Sequence, residues 1–273
     1  MTDFTLVRIN QLSHTKNLTD IFHTREKNTK SNTNCKYFRR DYMKILILNI
    51  LIKESLKTSF DKRTKHIFDE LKINYDTLYI DDLNSFSHYD TYSHLLISGS
   101  ERSVMDEHYW YQPLTEIILD FKNHNKSILG ICFGHQFLVR VLSGMNYLRK
   151  SPYPETGWTD IEIDNNSLFK GLKNFKSAVF HGDEVFNLNS DYHIIASSKR
   201  CGIHGFQFKG APIWGIQFHP DFIYEDTFDF VDELRKTEEN FQEAFVDIKI
   251  SADEFRENDK IFENWVNVIS LHK

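Results

Sequence analysis

Cys132 lies in Gly130-Ile131-Cys132-Phe133-Gly134, a thiol with a glycine two residues away on each side. Before it, Ser127 to Gly130 is short and apolar at Ile128 and Leu129, which predicts the end of a buried strand. After it, Phe137, Leu138, Val141 and Leu142 fall at helical spacing, and Gly144 suits the residue that closes a helix. G-x-C-x-G between a strand and a helix is the thiol counterpart of the G-x-S-x-G nucleophile elbow. The glycines let the chain turn sharply and let the helix approach the strand. At the N-terminus of that helix, the dipole and the free N–H groups favour thiolate over thiol. The competing reading of Cys132 alone is a small buried hydrophobe.

A thiol nucleophile needs a base within reach, and the base needs an orienting group. Thirteen histidines are available, so histidine content alone selects none. His219 differs by its context, Gly215-Ile216-Gln217-Phe218-His219-Pro220-Asp221. A buried strand delivers it, Pro220 stops the strand, and Asp221 stands where a carboxylate could hold the imidazole. Alone this signal is weak, since histidines before proline at strand ends are common.

The elements that must position these groups begin at Lys44. Ile45–Leu51 reads as a buried strand, and Asp61–Leu71 as a helix with Ile67, Phe68 and Leu71 on one face. Tyr75–Ile80 and His94–Ser98 are the next strands, the latter ending at Gly99. Pro113 opens a helix whose Leu114, Ile117, Ile118 and Phe121 follow i, i+3, i+4, i+7. Alternating βα units predict an α/β fold: a doubly wound, mostly parallel sheet flanked by helices. Its chemistry belongs at the carboxyl ends of the strands, where Gly99 and Cys132 both fall. After Gly144 the pattern turns toward β. Pro152 and Pro154 mark a loop, and Thr159–Ile163, Ser177–Phe180, His193–Ser197, Gly205–Phe208 and Ile213–Phe218 read as short strands. From Phe222 the chain is acidic and helical, with a capping box at Ser251–Glu254 before the Ile261, Trp265, Ile269 stripe. Residues 1–42, rich in Thr, Asn and Lys, are expected to form a mobile N-terminal segment. Met43, followed by KILILNILI, reads as a natural start for a domain over 43–273.

Three stretches in order carry a resemblance: Gly130-x-Cys132-x-Gly134-His135-Gln136, His181-Gly182-Asp183-Glu184 and Gln217-Phe218-His219-Pro220. Together they resemble the class I glutamine amidotransferases, in particular stand-alone members related to the amidotransferase domain of GMP synthase and to γ-glutamyl peptidases. The resemblance runs from about Lys44 to Phe222. It implies that Cys132 attacks the side-chain carboxamide of glutamine or a γ-glutamyl compound, with His219 as base and Asp221 as orienter. It implies an oxyanion hole of backbone N–H groups at Phe133 and at Gly99-Ser100. It implies that Gln136 and the His181-Gly182-Asp183 stretch hold the amino-acid end of the substrate, Asp183 pairing with the α-ammonium. A turn residue is the competing reading of Asp183. Two residues depart from the family: Asp221 stands where Glu is usual, and Gly99-Ser100 where two glycines are usual.

Composition bounds the partners. Hydrophobic content of 40% and charge of 26% are ordinary for a globular protein, and 273 residues suffice for a full core. A net charge of −6 argues against a nucleic-acid partner held by phosphate contacts. Three widely spaced cysteines predict a reducing, cytoplasmic setting, without a disulfide framework or zinc site. The longest apolar run, Ile45–Ile52, is too short for a bilayer, so no membrane partner is expected. No phosphate-loop motif is present, and no cofactor or metal is expected; a metal centre at His135, His181, Asp183 and His219 lacks ligand spacing. The partner is then a glutamine or γ-glutamyl small molecule, with a separate ammonia-accepting synthetase, or a non-catalytic regulatory role, as the alternatives.

Overall fold

Ile45, Leu46, Ile47 and Leu48 are all fully buried, as they must be in a strand covered on both faces. In the computed structural model, which describes residues 43–87, 89–237 and 243–267, they form β1 (Lys44–Asn49). The segment 1–42, expected to be mobile, and Ile269 of the last apolar stripe lie outside the described residues. Parallel neighbours of β1 are β2 (Asn74–Tyr79) and β3 (His94–Ile97). β4 (Ser127–Ile131) pairs with β3 and with β9 (Ile213–Ile216), again in parallel. From β9 the sheet continues antiparallel through β8 (Gly205–Phe208) and β7 (Tyr192–Ser197) to the end of β5 (Leu148–Ile163). β5 also carries an antiparallel partner, β6 (Phe175–Val185), and a short parallel one, β10 (Phe245–Asp247).

Alternate residues of the parallel strands enter two cores, as the period of two requires. Leu46, Leu48, Leu95, Ile97 and Ile128 pack under α2 (Tyr111–Asn123) and α3 (Phe133–Ser143). Ile45, Ile47, Leu96 and Leu129 pack under α1 (Glu54–Leu71) and α6 (Asp259–Asn267). The C-terminal helices therefore complete one face: Phe262 meets Phe68 edge-on at 6.1 Å, and Trp265 meets buried His94 at 5.1 Å. Between them, α4 (Tyr224–Thr237) follows β9, and α5 (Ala252–Arg256) carries the capping box on Ser251 and Glu254.

Several boundaries differ from the sequence pattern. α1 begins at Glu54 rather than Asp61, because Leu56 is the one apolar residue before Phe60 and marks no stripe. α2 begins at Tyr111, two residues before Pro113, which tolerates the first turn where no intrahelical N–H bond is needed. The Pro152–Pro154 stretch is an irregular part of β5, where the register against β6 shifts between Lys150 and Glu155. β6 runs on through Val185 and so carries His181-Gly182-Asp183-Glu184 within a strand, not a turn.

Candidate active site

The chain leaves β4 at Ile131 and enters α3 at Phe133, so Cys132 alone makes the corner. Its φ of 52° lies in the left-handed region that side chains disfavour. Both flanking glycines are required by space. A Cβ on Gly130 would sit 2.5 Å from the Gly134 backbone, and one on Gly134 would sit 2.7 Å from the Ile97 carbonyl oxygen. Three bonds hold the strained corner: Cys132 N–H to Ile216 O (2.8 Å), Gly134 N–H to Ser98 O (3.2 Å) and Gln136 N–H to Cys132 O (3.1 Å). A strained residue held in this way between a strand and a helix has the backbone geometry of a strand–turn–helix elbow. The thiol reaches the Phe180 carbonyl on β6 at 3.5 Å.

His219 follows β9 and is held by its own N–H on the Ala178 carbonyl at 2.8 Å. Its Nδ1 lies 3.1 Å from Asp221 Oδ1, so the shorter carboxylate spans the gap that a glutamate usually spans. Arg63 of α1 donates to the Pro220 carbonyl at 3.3 Å and pairs with Asp259, which anchors the backbone between His219 and Asp221. On the other side of the ring, Nε2 is buried without a fully formed hydrogen bond among the described residues. Burial opposes charge on this imidazole, but the negative groups of Asp221 and Cys132 outweigh it and hold the pKa up at about 10.

Gly99 explains why two loops meet here. A Cβ at this position would lie 3.0 Å from His219 Cε1 and 3.5 Å from Cys132 Cβ. Gly99 is needed for that space and not for a positive φ. Ser100 likewise has an ordinary backbone, so a serine in place of a second glycine introduces no strain. The loop is pinned at both ends: Ser98 Oγ donates to the Gly99 carbonyl (2.8 Å), and Glu101 accepts from Ile52 N (2.8 Å) and Lys53 N (2.7 Å). Phe133 opens α3, so its N–H has no intrahelical acceptor.

The motif on β6 divides between two environments. Asp183 is buried, with Oδ2 accepting from Ser103 Oγ (2.6 Å) and Val104 N (3.2 Å), while Oδ1 faces Lys150 Nζ at 2.7 Å. Gln136 donates to the Asp183 carbonyl (2.8 Å) and to Gln217 Oε1 (2.9 Å), tying the elbow helix to β6. His181 turns the other way. Its Nδ1 meets Asp183 O and its Nε2 meets Glu155 Oε2, both at 3.1 Å. Glu155 also accepts from His204 (2.7 Å) and from Ser198 (3.0 Å). Gly182 is exposed, with open space about it.

Cys132, His219, Asp221 and Ser100 line one cavity of about 190 Å³, closed by apolar walls including Leu56, Phe60, Phe180, Phe222 and Phe230. His181 and Asp183 are not among its lining residues. Of the groups with metal-ligand chemistry, Glu155, His181, Cys201 and His204 gather their donor atoms within 4.8 Å of one another. The two histidines are held there by hydrogen bonds to Glu155, whose pKa is lowered because the two imidazoles outweigh its burial. Burial pushes the Cys201 thiol up to about 12. His135, behind the elbow, packs on the Phe206 ring at 4.9 Å, and burial lowers its pKa to about 3. Ser103, Lys150, Glu155, Ser198 and His204 belong to none of the short motifs. The signal for Glu155 and Lys150 is a cross-strand register, which a single sequence does not display.

The family model for glutamine amidotransferase class-I matches residues 55–229. The GMP synthase of Thermosipho africanus is 32% identical over 177 residues, 61% of this chain and 33% of that protein. The chain thus spans about a third of that relative. A glutamine-hydrolyzing GMP synthase subunit from Thermoplasma acidophilum is 33% identical over 143 residues, 51% of this chain and 68% of its own length. Two solved glutamine amidotransferases share the fold. The protein from Thermotoga maritima has a TM-score of 0.66 at 19% identity, over 83% of this chain and 99% of that one. That from Methylobacillus flagellatus has a TM-score of 0.65 at 16% identity, over 82% and 94%. Among the described residues no helix is long and apolar enough to cross a membrane. From the turn at Cys132 to the breadth of the match, the sequence and the fold place this chain in the class I glutamine amidotransferase family.

Proposed function

We propose that the chain is a cysteine-dependent amidohydrolase that cleaves the γ-amide of glutamine or a γ-glutamyl compound. The observation that carries this reading is the strained corner at Cys132, with the unsatisfied Nε2 of His219 beside it. Cys132 gives its thiol proton to His219 Nε2, the sulfur bonds to the carboxamide carbon, and the carbonyl electrons move onto oxygen. Backbone N–H groups of Phe133 and of the Gly99-Ser100 loop stabilise that oxyanion. When the carbonyl reforms, the C–N bond breaks and the departing amine takes a proton from His219 Nε2. A γ-glutamyl thioester remains on Cys132. Water then attacks the thioester carbon and gives its proton to His219, the C–S bond breaks, and glutamate leaves. Asp221 holds the ring throughout and supports its charge. Asp183 takes the α-ammonium of the substrate, and Gln136 steadies Asp183 by its backbone carbonyl.

The apolar cavity at Cys132 and His219 supports leaving groups larger than ammonia, because His219 must face the departing nitrogen. A second reading has a specific observation in its favour: one relative is named as a single subunit of a glutamine-hydrolyzing GMP synthase. On that reading the chain supplies ammonia to a separate synthetase chain. The test is glutamate release from glutamine, γ-glutamyl dipeptides and γ-glutamyl amines by the purified chain. Release that disappears in Cys132→Ala is the expected result. Silence with every substrate, from a folded chain with Cys132 reduced, contradicts the hydrolase reading and leaves the partner-dependent one.

A further inference from the structure

Lys150 and Asp183 form an ion pair with unequal partners. The Asp183 side chain is 6% exposed and the Lys150 side chain 71%. Ser103 Oγ and Val104 N–H fix one carboxylate oxygen, so the anion is held in place, while its other oxygen faces the Lys150 ammonium at 2.7 Å. The lysine is not fixed in the same way. Its ammonium has one other contact among the described residues, Ser103 Oγ at 3.1 Å. The backbones of Lys150 and Asp183 lie opposite each other, and β5 loses its regular register immediately after Lys150. The next cross-strand pair shows the contrast. Arg149 is bonded to Glu184 and stacked on Phe186 at 4.5 Å, and Glu184 takes a further bond from Ser151. That pair is saturated, whereas Lys150–Asp183 is a fixed anion with a cation free to swing.

This pair matches the charges of a free α-amino acid head group. Taking the reading of Asp183 as the α-ammonium site, we propose that Lys150 is the counter-ion of the substrate α-carboxylate. The zwitterion then inserts between the two side chains and replaces one ion pair by two. The exposed Lys150 ammonium returns to water when it leaves, and the buried Asp183 keeps its bonds from Ser103 and Val104 while the substrate ammonium takes the lysine's place. The span fits. Phe180 touches the Cys132 thiol, and Asp183 lies three residues further along β6, about 10 Å at about 3.3 Å per residue. A γ-glutamyl group needs about 3 Å from sulfur to the reacting carbon, about 5 Å of extended chain to the α-nitrogen, and about 3 Å of hydrogen bond. The substrates are then γ-amides of free glutamate, and glutamine residues inside a peptide chain are rejected.

Calorimetric binding of L-glutamine and of its α-carboxamide to the full-length Cys132→Ala protein tests this independently of turnover. Lys150→Met should weaken L-glutamine binding about tenfold and leave the α-carboxamide unchanged, since only the first presents a carboxylate. Lys150→Arg should keep most of the preference. Asp183→Asn should weaken both ligands, because both carry the α-ammonium. Tighter glutamine binding in Lys150→Met would show that the lysine blocks the site, and overturns the proposal. An unchanged preference, or equal loss of both ligands, also overturns it. If Asp183→Asn changes neither ligand, the assignment of Asp183 falls and Lys150 falls with it. No binding of either ligand to any variant contradicts the function itself.

Discussion

His219 and His181 are both buried beside carboxylates, and their surroundings differ at the second ring nitrogen. His219 uses one ring nitrogen on Asp221 and turns the other toward Cys132 without a complete hydrogen bond. His181 has both nitrogens engaged, one by the Asp183 carbonyl and the other by Glu155. The first ring can take a proton from a reacting group and return it; the second is already occupied. A histidine inside a recognisable motif can act on a substrate only where the fold leaves it a ring nitrogen. The work of His181 is mechanical: it joins Glu155 to the backbone of Asp183. The molecule separates these tasks by sheet. The parallel strands deliver Cys132 and the Gly99-Ser100 loop, while the antiparallel ribbon of β5 and β6 carries Lys150, Glu155, His181 and Asp183.

The largest expected effect breaks the His219 side of this comparison. Asp221→Asn should cost roughly 10³–10⁴-fold in kcat/KM with little change in fold, as loss of the orienting carboxylate does in a triad. It should also lower the His219 pKa from about 10, which an NMR titration of the imidazole reads directly. The sign follows from a raised pKa. The stabilising charge of His219 is fully present below its ordinary 6.5 and is lost as pH rises through about 10. Persistence of the wild-type titration in Asp221→Asn would show that Asp221 is not the orienter.

On the His181 side the effect should fall on stability. Glu155→Gln removes the carboxylate that two imidazoles and Ser198 share, and should cost about 3–5 kcal/mol by calorimetry or denaturant unfolding. The lowered pKa of Glu155 gives the opposite sign to His219. Its contribution is complete above its ordinary 4.5 and is lost as pH falls through the folded value. Activity should drop far less than in Asp221→Asn; an equal drop would erase the distinction between the two histidines.

Smaller changes sharpen the geometry around the reacting atoms. Gly99→Ala places a methyl group 3.0 Å from His219 Cε1, and should reduce kcat about tenfold by displacing the ring. Ser100→Gly should change almost nothing, since Ser100 already has an ordinary backbone. Phe230→Ala opens the apolar wall of the cavity and should lower kcat/KM roughly threefold for large apolar leaving groups, leaving glutamine unaffected. Comparison of two substrates on each variant checks all three.

Much of the candidate site's geometry was legible because its parts are short and local. Gly130, Cys132 and Gly134 state a turn within five residues, and His219-Pro220-Asp221 states a strand end with a carboxylate in reach. The βα alternation from β1 to α3 was equally visible, because a strand buried on both faces leaves a continuous apolar run. The antiparallel half was not. Lys150 meets Asp183, and Glu155 meets His181 and His204, only through a register that shifts within β5. Prolines at 152 and 154 read as a loop, although the same segment lies within β5, between two stretches that pair with β6. The start of α1 was hidden for a simpler reason: Leu56 is its one apolar residue before Phe60, so no periodicity marks it.

The central claim is that Cys132 is the nucleophile, and covalent labelling tests it most directly. A glutamine analogue bearing a carbonyl electrophile, followed by peptide mapping in a mass spectrometer, should modify Cys132 stoichiometrically. Excess glutamine should protect it. Cys201, buried with its thiol pushed up to about 12, should remain unmodified on the same timescale. Label on Cys201 or Cys35, with Cys132 untouched in the folded chain, would contradict the account.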